Sequence, residues 1–249
     1  MEKDIHHDAK AEVIKTMKAV ILAAGKGERM KPLTLRTPKP LLKVNGKPII
    51  DYVLESFGPE IDEVIIVVKY LDSQIKEYIG KKNRDRSIRY VLGSDKGSAY
   101  SFMAAKKYLG NERFLFVYCD EIPNPTDIKN CLARDLSILV FKSQNPQANG
   151  IAYLRKDGTI KKIIEKPKNP KFDLAVDGVM VLNTDIFNYT PEITGGEYYL
   201  STMVGLFVRD HKVFPVNARS FIGDITTPHD LVRVGNILKT RNFNYRKRE

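Results

Sequence analysis

The chain has 249 residues, 43% of them apolar, and a formal net charge of +11. That apolar share excludes a disordered tail and leaves ample material for one large α/β domain or two small ones. No apolar run approaches the roughly 20 residues needed to cross a bilayer. The first residues, MEKDIHHDAKAEVIKTMK, lack the apolar middle and small-residue cleavage site of a signal peptide. A soluble, cytoplasmic protein is therefore expected. Cys119 and Cys131 make neither a disulfide framework nor a zinc pattern, and read as reduced, buried thiols. His6 and His7 read as solvated residues of a polar leader. A basic protein can meet nucleic acid, a membrane surface or small polyanions. Part of the excess lies in the C-terminal run KTRNFNYRKRE, but no nucleic-acid-binding motif accompanies it, so nucleic acid is disfavoured as a partner.

In chain order, residues 1–16 read as a leader, with a helical stretch over Ala9–Met17. KAVILAA is a continuous apolar run, as expected at the centre of a parallel sheet covered on both faces. A basic loop follows, and then PIIDYVLESF, a helix with Pro48 at its first position. EVIIVVK is a second buried strand. DSQIKEYIG is a helix capped by Asp72 and stopped by Gly80. IRYVLG is a strand, SAYSFMAAKKYLG a helix ending on Gly110, and RFLFVYCDE a strand running out at Asp120. A helix near Asp127–Leu132 and the strand LSILVF complete an alternation that implies right-handed βαβ units and a mostly parallel sheet. GIAYLRKDGTIKKIIEKP then reads as a hairpin turning at Asp157–Gly158. AVDGVMVLNTDIF is a strand leading into a short helix, EYYLSTMVGLFVRD a helix, KVFPVN and SFIGD short strands, and PHDLVRVGNILK a closing helix. The reading is one domain over residues 17–241 with an inserted or appended substrate half, followed by a basic tail at 242–249.

The loop after the first strand holds Lys26, Arg29, Lys31, Arg36 and Lys39, diluted by Glu28 alone. A glycine turn at the C-terminal end of a parallel strand presents outward-facing N–H groups, and Gly25 and Gly27 let a ligand approach the backbone. Together with the cations this suits a triphosphate. A Walker A loop is absent, and Met30 stands where a dinucleotide fingerprint needs its third glycine.

The longer stretch LAAGKGERMKPLTLRTPKPLLKVNGKPII resembles the nucleotide-binding signature of the sugar-1-phosphate nucleotidylyltransferases. Its four parts (the glycine loop, P-L-T, P-K-P and a G-x-P helix start) stand in order. The resemblance continues through YCDEI, IIEKP, DGVMVLNTDIF, GEYYLSTM and FIGDITTPHDL, from about Met17 to about Thr240. It implies a three-layer α/β/α, Rossmann-like fold with a mostly parallel central sheet and a smaller, β-rich sugar-binding half. It implies a reaction between an NTP and a sugar 1-phosphate, assisted by Mg²⁺. Carried over by motif, Arg29 and Lys39 become the catalytic cations, on the β/γ-phosphates and the α-phosphate. Asp120 and Asp224 become the Mg²⁺ ligands. Leu22, Ala23, Ala24, Gly25, Gly27, Leu92, Gly97 and Ser98 fall at the nucleotide, and Gly150, Glu165, Lys166, Asp177 and Gly178 at the sugar phosphate. Taken singly, each charge also fits a solvated loop, a turn or a strand end.

Three positions depart from the family pattern. Leu92 stands where uridylyl- and thymidylyl-transferring relatives carry Gln, and leucine cannot make a bidentate base contact. Phe221 replaces the usual Trp, and Thr202 replaces Asp. KGSAYS is also similar to a cytidylyl-transferring branch acting on polyol or inositol phosphates, and a non-catalytic nucleotide-sugar-binding subunit is a further alternative. No left-handed β-helix pattern follows the domain, so the acyltransferase or regulatory half of longer relatives is not expected. A homo-oligomer is compatible with the family and is marked by no residue pattern.

Overall fold

The computed structural model describes residues 16–194, 196–219 and 223–240. The basic tail, Phe221 and the leader up to residue 15 lie outside them. So does most of the expected 9–17 helix, whose last residue, Met17, instead opens the first strand. Residues 220–222 of the expected strand SFIGD are also outside, and Gly223 and Asp224 are not in a strand.

The elements follow in chain order. Strand β1 (Met17–Ala23) leads through the basic loop to a small antiparallel pair, β2 (Lys43–Val44) and β3 (Lys47–Pro48), and then to α1 (Ile49–Ser56). Next come β4 (Ile61–Val68), α2 (Asp72–Ile79), β5 (Lys82–Asn83), β6 (Arg86–Leu92), α3 (Ser98–Met103), β7 (Phe114–Tyr118), α4 (Pro125–Leu132) and β8 (Ser137–Lys142). The second half holds β9 (Gly150–Leu154), β10 (Ile160–Glu165), β11 (Leu174–Leu182), β12 (Ile193–Thr194), β13 (Glu197–Tyr198), α5 (Leu200–Asp210), β14 (Phe214–Asn217) and α6 (Pro228–Thr240).

At the centre β1 lies parallel to β4 and β7, and β4 parallel to β6. β11 runs antiparallel between β7 and β8, β14 joins β8 in parallel, and the β9–β10 hairpin closes that flank. The two-residue period of β1 shows why its run is apolar throughout. Val20 enters one core with Phe116, Phe102 of α3 and Phe207 of α5. Ala19 and Ile21 enter the opposite core with Val53 of α1, Ile75 of α2 and Ile128 of α4. A strand with a helix layer on each face has no polar side to show, and the result is the expected three-layer α/β/α arrangement.

Local chemistry moved several boundaries. The expected helix over 98–110 ends at Met103 and tightens into a three-residue turn over Lys106–Tyr108, which buries Ala105 and Leu109. α5 starts at Leu200 rather than near Glu197, because the Tyr198 N–H donates to Lys96 O and the Leu200 N–H to Ser98 Oγ. Leu71, in a left-handed conformation, takes the cap position before α2, and the Asp72 carboxylate instead accepts from Lys76 one turn on. Pro48 sits just before α1 rather than at its first residue. Cys119 and Cys131 are free and buried, as read from the sequence.

Since β1, β4, β6 and β7 are parallel, their C-terminal ends open on one edge of the sheet. The loops leaving Ala23, Val68, Leu92 and Tyr118 meet there, where α/β sheets place their ligand crevices.

Candidate active site

Gly27 is left-handed (φ 63°) and opens a short turn over Glu28–Met30. Its carbonyl accepts from Thr34 Oγ1 at 2.8 Å, and a Cβ at Gly27 would lie 2.9 Å from Thr34 Cγ2, so glycine is required there. An added Cβ at Gly25 would meet nothing within 4 Å, so the chain itself does not fill that face. Lys39 begins another short turn between Pro38 and Pro40, and its Nζ lies 2.9 Å from Asp120 Oδ2. The Ile225 N–H donates to Asp120 O at 2.8 Å, which draws Asp224 to the same edge. A third, small core of Met30, Leu42, Val44, Ile49, Tyr52, Ile122, Ile225 and Val234 anchors all of these loops from beneath.

The loop after β6 forms the adjoining wall. Gly97 (φ 116°) approaches Tyr198 so closely that a Cβ would lie 2.5 Å from its carbonyl oxygen. Ser101 Oγ accepts from Ser94 N–H at 3.0 Å and donates to Ser94 O at 3.1 Å, fixing the loop. Lys69 and Asp95 form an ion pair of 2.6 Å at the rim. These walls enclose an open cleft of about 870 Å³.

Beyond Asp120 the character turns acidic. Glu121 accepts from the Gly178 N–H at 3.0 Å, and a Cβ at Gly178 would lie 2.4 Å from the Glu121 carboxylate. This contact falls where the register of β11 against β8 shifts, between Val176 and Met180. Burial, then the charge of Asp177 and a hydrogen bond with it, push the Glu121 carboxyl well above the usual range. Burial also raises Asp177, against the stabilising bonds from Glu121 and Gly178. Glu165 lies opposite Gly150 in the β9–β10 ladder. It is exposed by surface area, but the wall behind its carboxyl still raises it, and Lys166 pulls the other way. Lys166 itself is left-handed (φ 43°), with its N–H donating to Asn149 O at 3.0 Å. Asp224 is likewise exposed by area, yet crowding, then Asp120 and Asp177, raise it to about 6 against Lys39 and Arg29. Glu121, Asp177, Asp224 and Asp120 share one electrostatic neighbourhood.

Of the residues singled out from sequence, Leu22, Ala23, Ala24, Gly25, Gly27, Arg29, Lys39, Gly97, Ser98 and Asp120 line the cleft. Gly150, Glu165, Lys166, Asp177, Gly178 and Asp224 are not among its lining residues. Glu165, Asp177 and Asp224 are joined to it electrostatically, through Tyr118 or Asp120. Leu92 is 68% exposed and does not line the cleft. Its neighbour Val91 points into the core beneath α3, and strand alternation sends Leu92 to the other face. The Thr202 hydroxyl donates to Tyr199 O and accepts from the Glu192 N–H, so it ties down the start of α5. Among the described residues no group of three or more His, Cys, Asp or Glu side chains is arranged to hold a metal ion. Asp120 and Asp224 offer two hard oxygen donors, which fits Mg²⁺, an ion that commonly takes one or two carboxylates and fills its sphere with water and phosphate.

Residues 18–202 match the model of the nucleotidyl transferase family. The chain belongs to that family. A bifunctional sugar-1-phosphate nucleotidylyltransferase/acetyltransferase of Sulfurisphaera tokodaii is 33% identical over 224 residues, covering 88% of this chain and 54% of that protein. The bifunctional protein GlmU of Methanocaldococcus jannaschii is 30% identical over 225 residues, covering 89% and 54%. The chain thus spans about half the length of these relatives. A solved Bacillus anthracis structure, assigned as a glucose-1-phosphate thymidylyltransferase, superposes with a TM-score of 0.79 at 23% identity over 92% of this chain and 98% of that one, a likeness of fold. Against this nucleotidyl transferase frame, sequence reasoning missed Tyr118, Glu121 and Glu197. Glu121 was visible in YCDEI as a second acid at a strand end, but only the β11 irregularity shows where it points. Glu197 lines the cleft because β13 docks on Gly97, a contact between residues far apart in sequence.

Proposed function

We propose that this nucleotidyl transferase converts an NTP and a sugar 1-phosphate to an NDP-sugar and pyrophosphate. The observation that carries the reading is the meeting of Arg29, Lys39, Asp120 and the Gly25–Gly27 loop in one cleft at the mouth of the parallel sheet, with Asp224 one backbone hydrogen bond away. An oxygen of the sugar phosphate attacks the α-phosphorus, the bond from that phosphorus to the bridging oxygen breaks, and pyrophosphate leaves with the electron pair. The nucleophile is already anionic at neutral pH, so no residue need take a proton, and none is assigned as a base. The barrier is the approach of one anion to another.

Arg29 and Lys39 lower that barrier, Arg29 at the departing phosphates and Lys39 at the α-phosphate. Backbone groups of Ala23, Ala24 and Gly25 hold the donor. Glu165, Lys166 and Asp177 bind the acceptor, with Gly150 and Gly178 leaving room for it. Asp120 and Asp224 would hold Mg²⁺, which when bound adds charge neutralisation at the phosphates. No described helix is long and apolar enough to cross a membrane.

Pyrophosphate release across the four common NTPs, each with a panel of sugar 1-phosphates and with polyol phosphates, tests the reading. Release with at least one NTP and sugar 1-phosphate is expected. Release with polyol phosphates alone moves the acceptor class, and release with no pair overturns the enzyme assignment.

A further inference from the structure

Lys39 lines the cleft, but its ammonium does not stand free in it. Its ammonium rests on Asp120 at 2.9 Å, and the pair is sheltered, with side-chain exposures of 14% for the lysine and 32% for the aspartate. Both partners are held by their backbones. Pro38 and Pro40 flank the Lys39 turn, and the Ile225 N–H grips the Asp120 carbonyl and brings Asp224 alongside. The positive charge of Lys39 is felt at Asp224 as well. The ammonium therefore sits on one of the carboxylates that a divalent ion would use. The mobile part of the lysine is its four-carbon stem, which carries the charge between partners without moving the backbone.

We propose that Lys39 is the resident counter-cation of the Asp120–Asp224 site, and that a divalent ion displaces it from Asp120, freeing it for the α-phosphate. This rests on the reaction proposed above. With the ammonium in place, the two carboxylates present one net negative charge to an incoming ion; without it they present two. The free protein holds the ion weakly for that reason. A bound triphosphate gives the ammonium another partner, so nucleotide and metal each favour the other's binding, as linkage requires. Arginine at this position, with its planar fork, would stay on the carboxylate; lysine makes the exchange reversible.

The test uses the full chain without nucleotide, with Mn²⁺ as the probe and free Mn²⁺ read by electron paramagnetic resonance. K39M, which keeps the stem and removes the charge, is expected to bind Mn²⁺ roughly tenfold more tightly than the wild type. Equal or weaker binding overturns the proposal. A second reading needs no variant: Mn²⁺ should raise the labelling of Lys39 by an amine-reactive ester in the wild-type protein, and unchanged labelling also overturns it. K39M/D120N separates this failure from that of the wider reading. If that double variant binds Mn²⁺ as tightly as K39M, the ion is not at Asp120, and the metal assignment itself falls.

Discussion

The proposed donor and acceptor ends of the site are built by different means. At the donor end the polar residues ride on loops, and each loop is pinned by a neighbouring apolar residue in one small core. Arg29 stands beside Met30, Lys39 precedes Leu42, Asp120 precedes Ile122 and Asp224 precedes Ile225. At the acceptor end Gly150, Glu165, Asp177 and Gly178 belong to strands of the main sheet, and the Asp177–Gly178 step rests on a local fit between Glu121 and the Gly178 backbone. The donor end is cationic and open, the acceptor end acidic and crowded. The comparison teaches that the donor machinery should fail through its mount, whereas the acceptor machinery should fail through a single misfitted atom.

The sharpest way to test this division is at the residue where the two ends meet. Asp120→Asn keeps the shape and removes the charge that faces Lys39. Pyrophosphate release should fall by at least about a hundredfold, while the thermal midpoint stays within a few degrees of the wild type. Near wild-type turnover would remove Asp120 from the chemistry. Met30→Ala attacks the mount instead. Met30 is fully buried in the third core, and its truncation should cost about 2–5 kcal/mol in urea unfolding. It should also weaken NTP use more than sugar-phosphate use. Equal losses for both substrates would mean that the small core does not serve the donor end selectively.

At the acceptor end Gly178→Ala places a methyl group against the Glu121 carboxylate and the Tyr118 ring, at 2.4 and 2.6 Å. Something must shift, and the expected outcome is a roughly tenfold rise in the KM for sugar phosphate with the KM for NTP little changed. A rise in both would break the separation of the two ends.

The donor end was largely legible in the sequence because its spacing is local. Gly25, Gly27, Arg29 and Lys39 fall within one loop, and the strand before them is apolar at every step because both faces are covered. The acceptor end was legible only in part. The Asp157–Gly158 turn sets the hairpin that pairs Gly150 with Glu165, and it could be read directly. The partnership of Glu121 with Gly178 could not, since it joins residues 57 positions apart across a strand irregularity. The same limit explains Leu92. Counting back from Gly97 places it at a base-contacting position, but strand alternation decides the side it faces, and α3 lies on the other. Glu197 reaches the cleft through the docking of β13 on Gly97, which no local pattern encodes.

The smallest expected effect concerns what holds the mount in place. Asp230 sits in the first turn of α6, and its carboxylate accepts from the Thr227 N–H at 2.8 Å and from the Thr226 N–H at 3.0 Å, with Arg233 beside it. This is the reciprocal half of a capping box, and it fixes the segment that carries Ile225 into the third core. Burial works against the charge, but the Thr227, Thr226 and Arg233 bonds outweigh it and hold the carboxyl well below the usual aspartate range. A folded-state pKa below the unfolded one gives stability that is complete above the ordinary aspartate value and is lost as pH falls toward the folded value. Urea midpoints should therefore drop as the pH is lowered below about 4. Asp230→Ala should cost about 1 kcal/mol at neutral pH and flatten that acid dependence. An equally steep acid slope in the variant would assign the loss to other carboxylates and leave α6 anchored to the donor end by its apolar face alone.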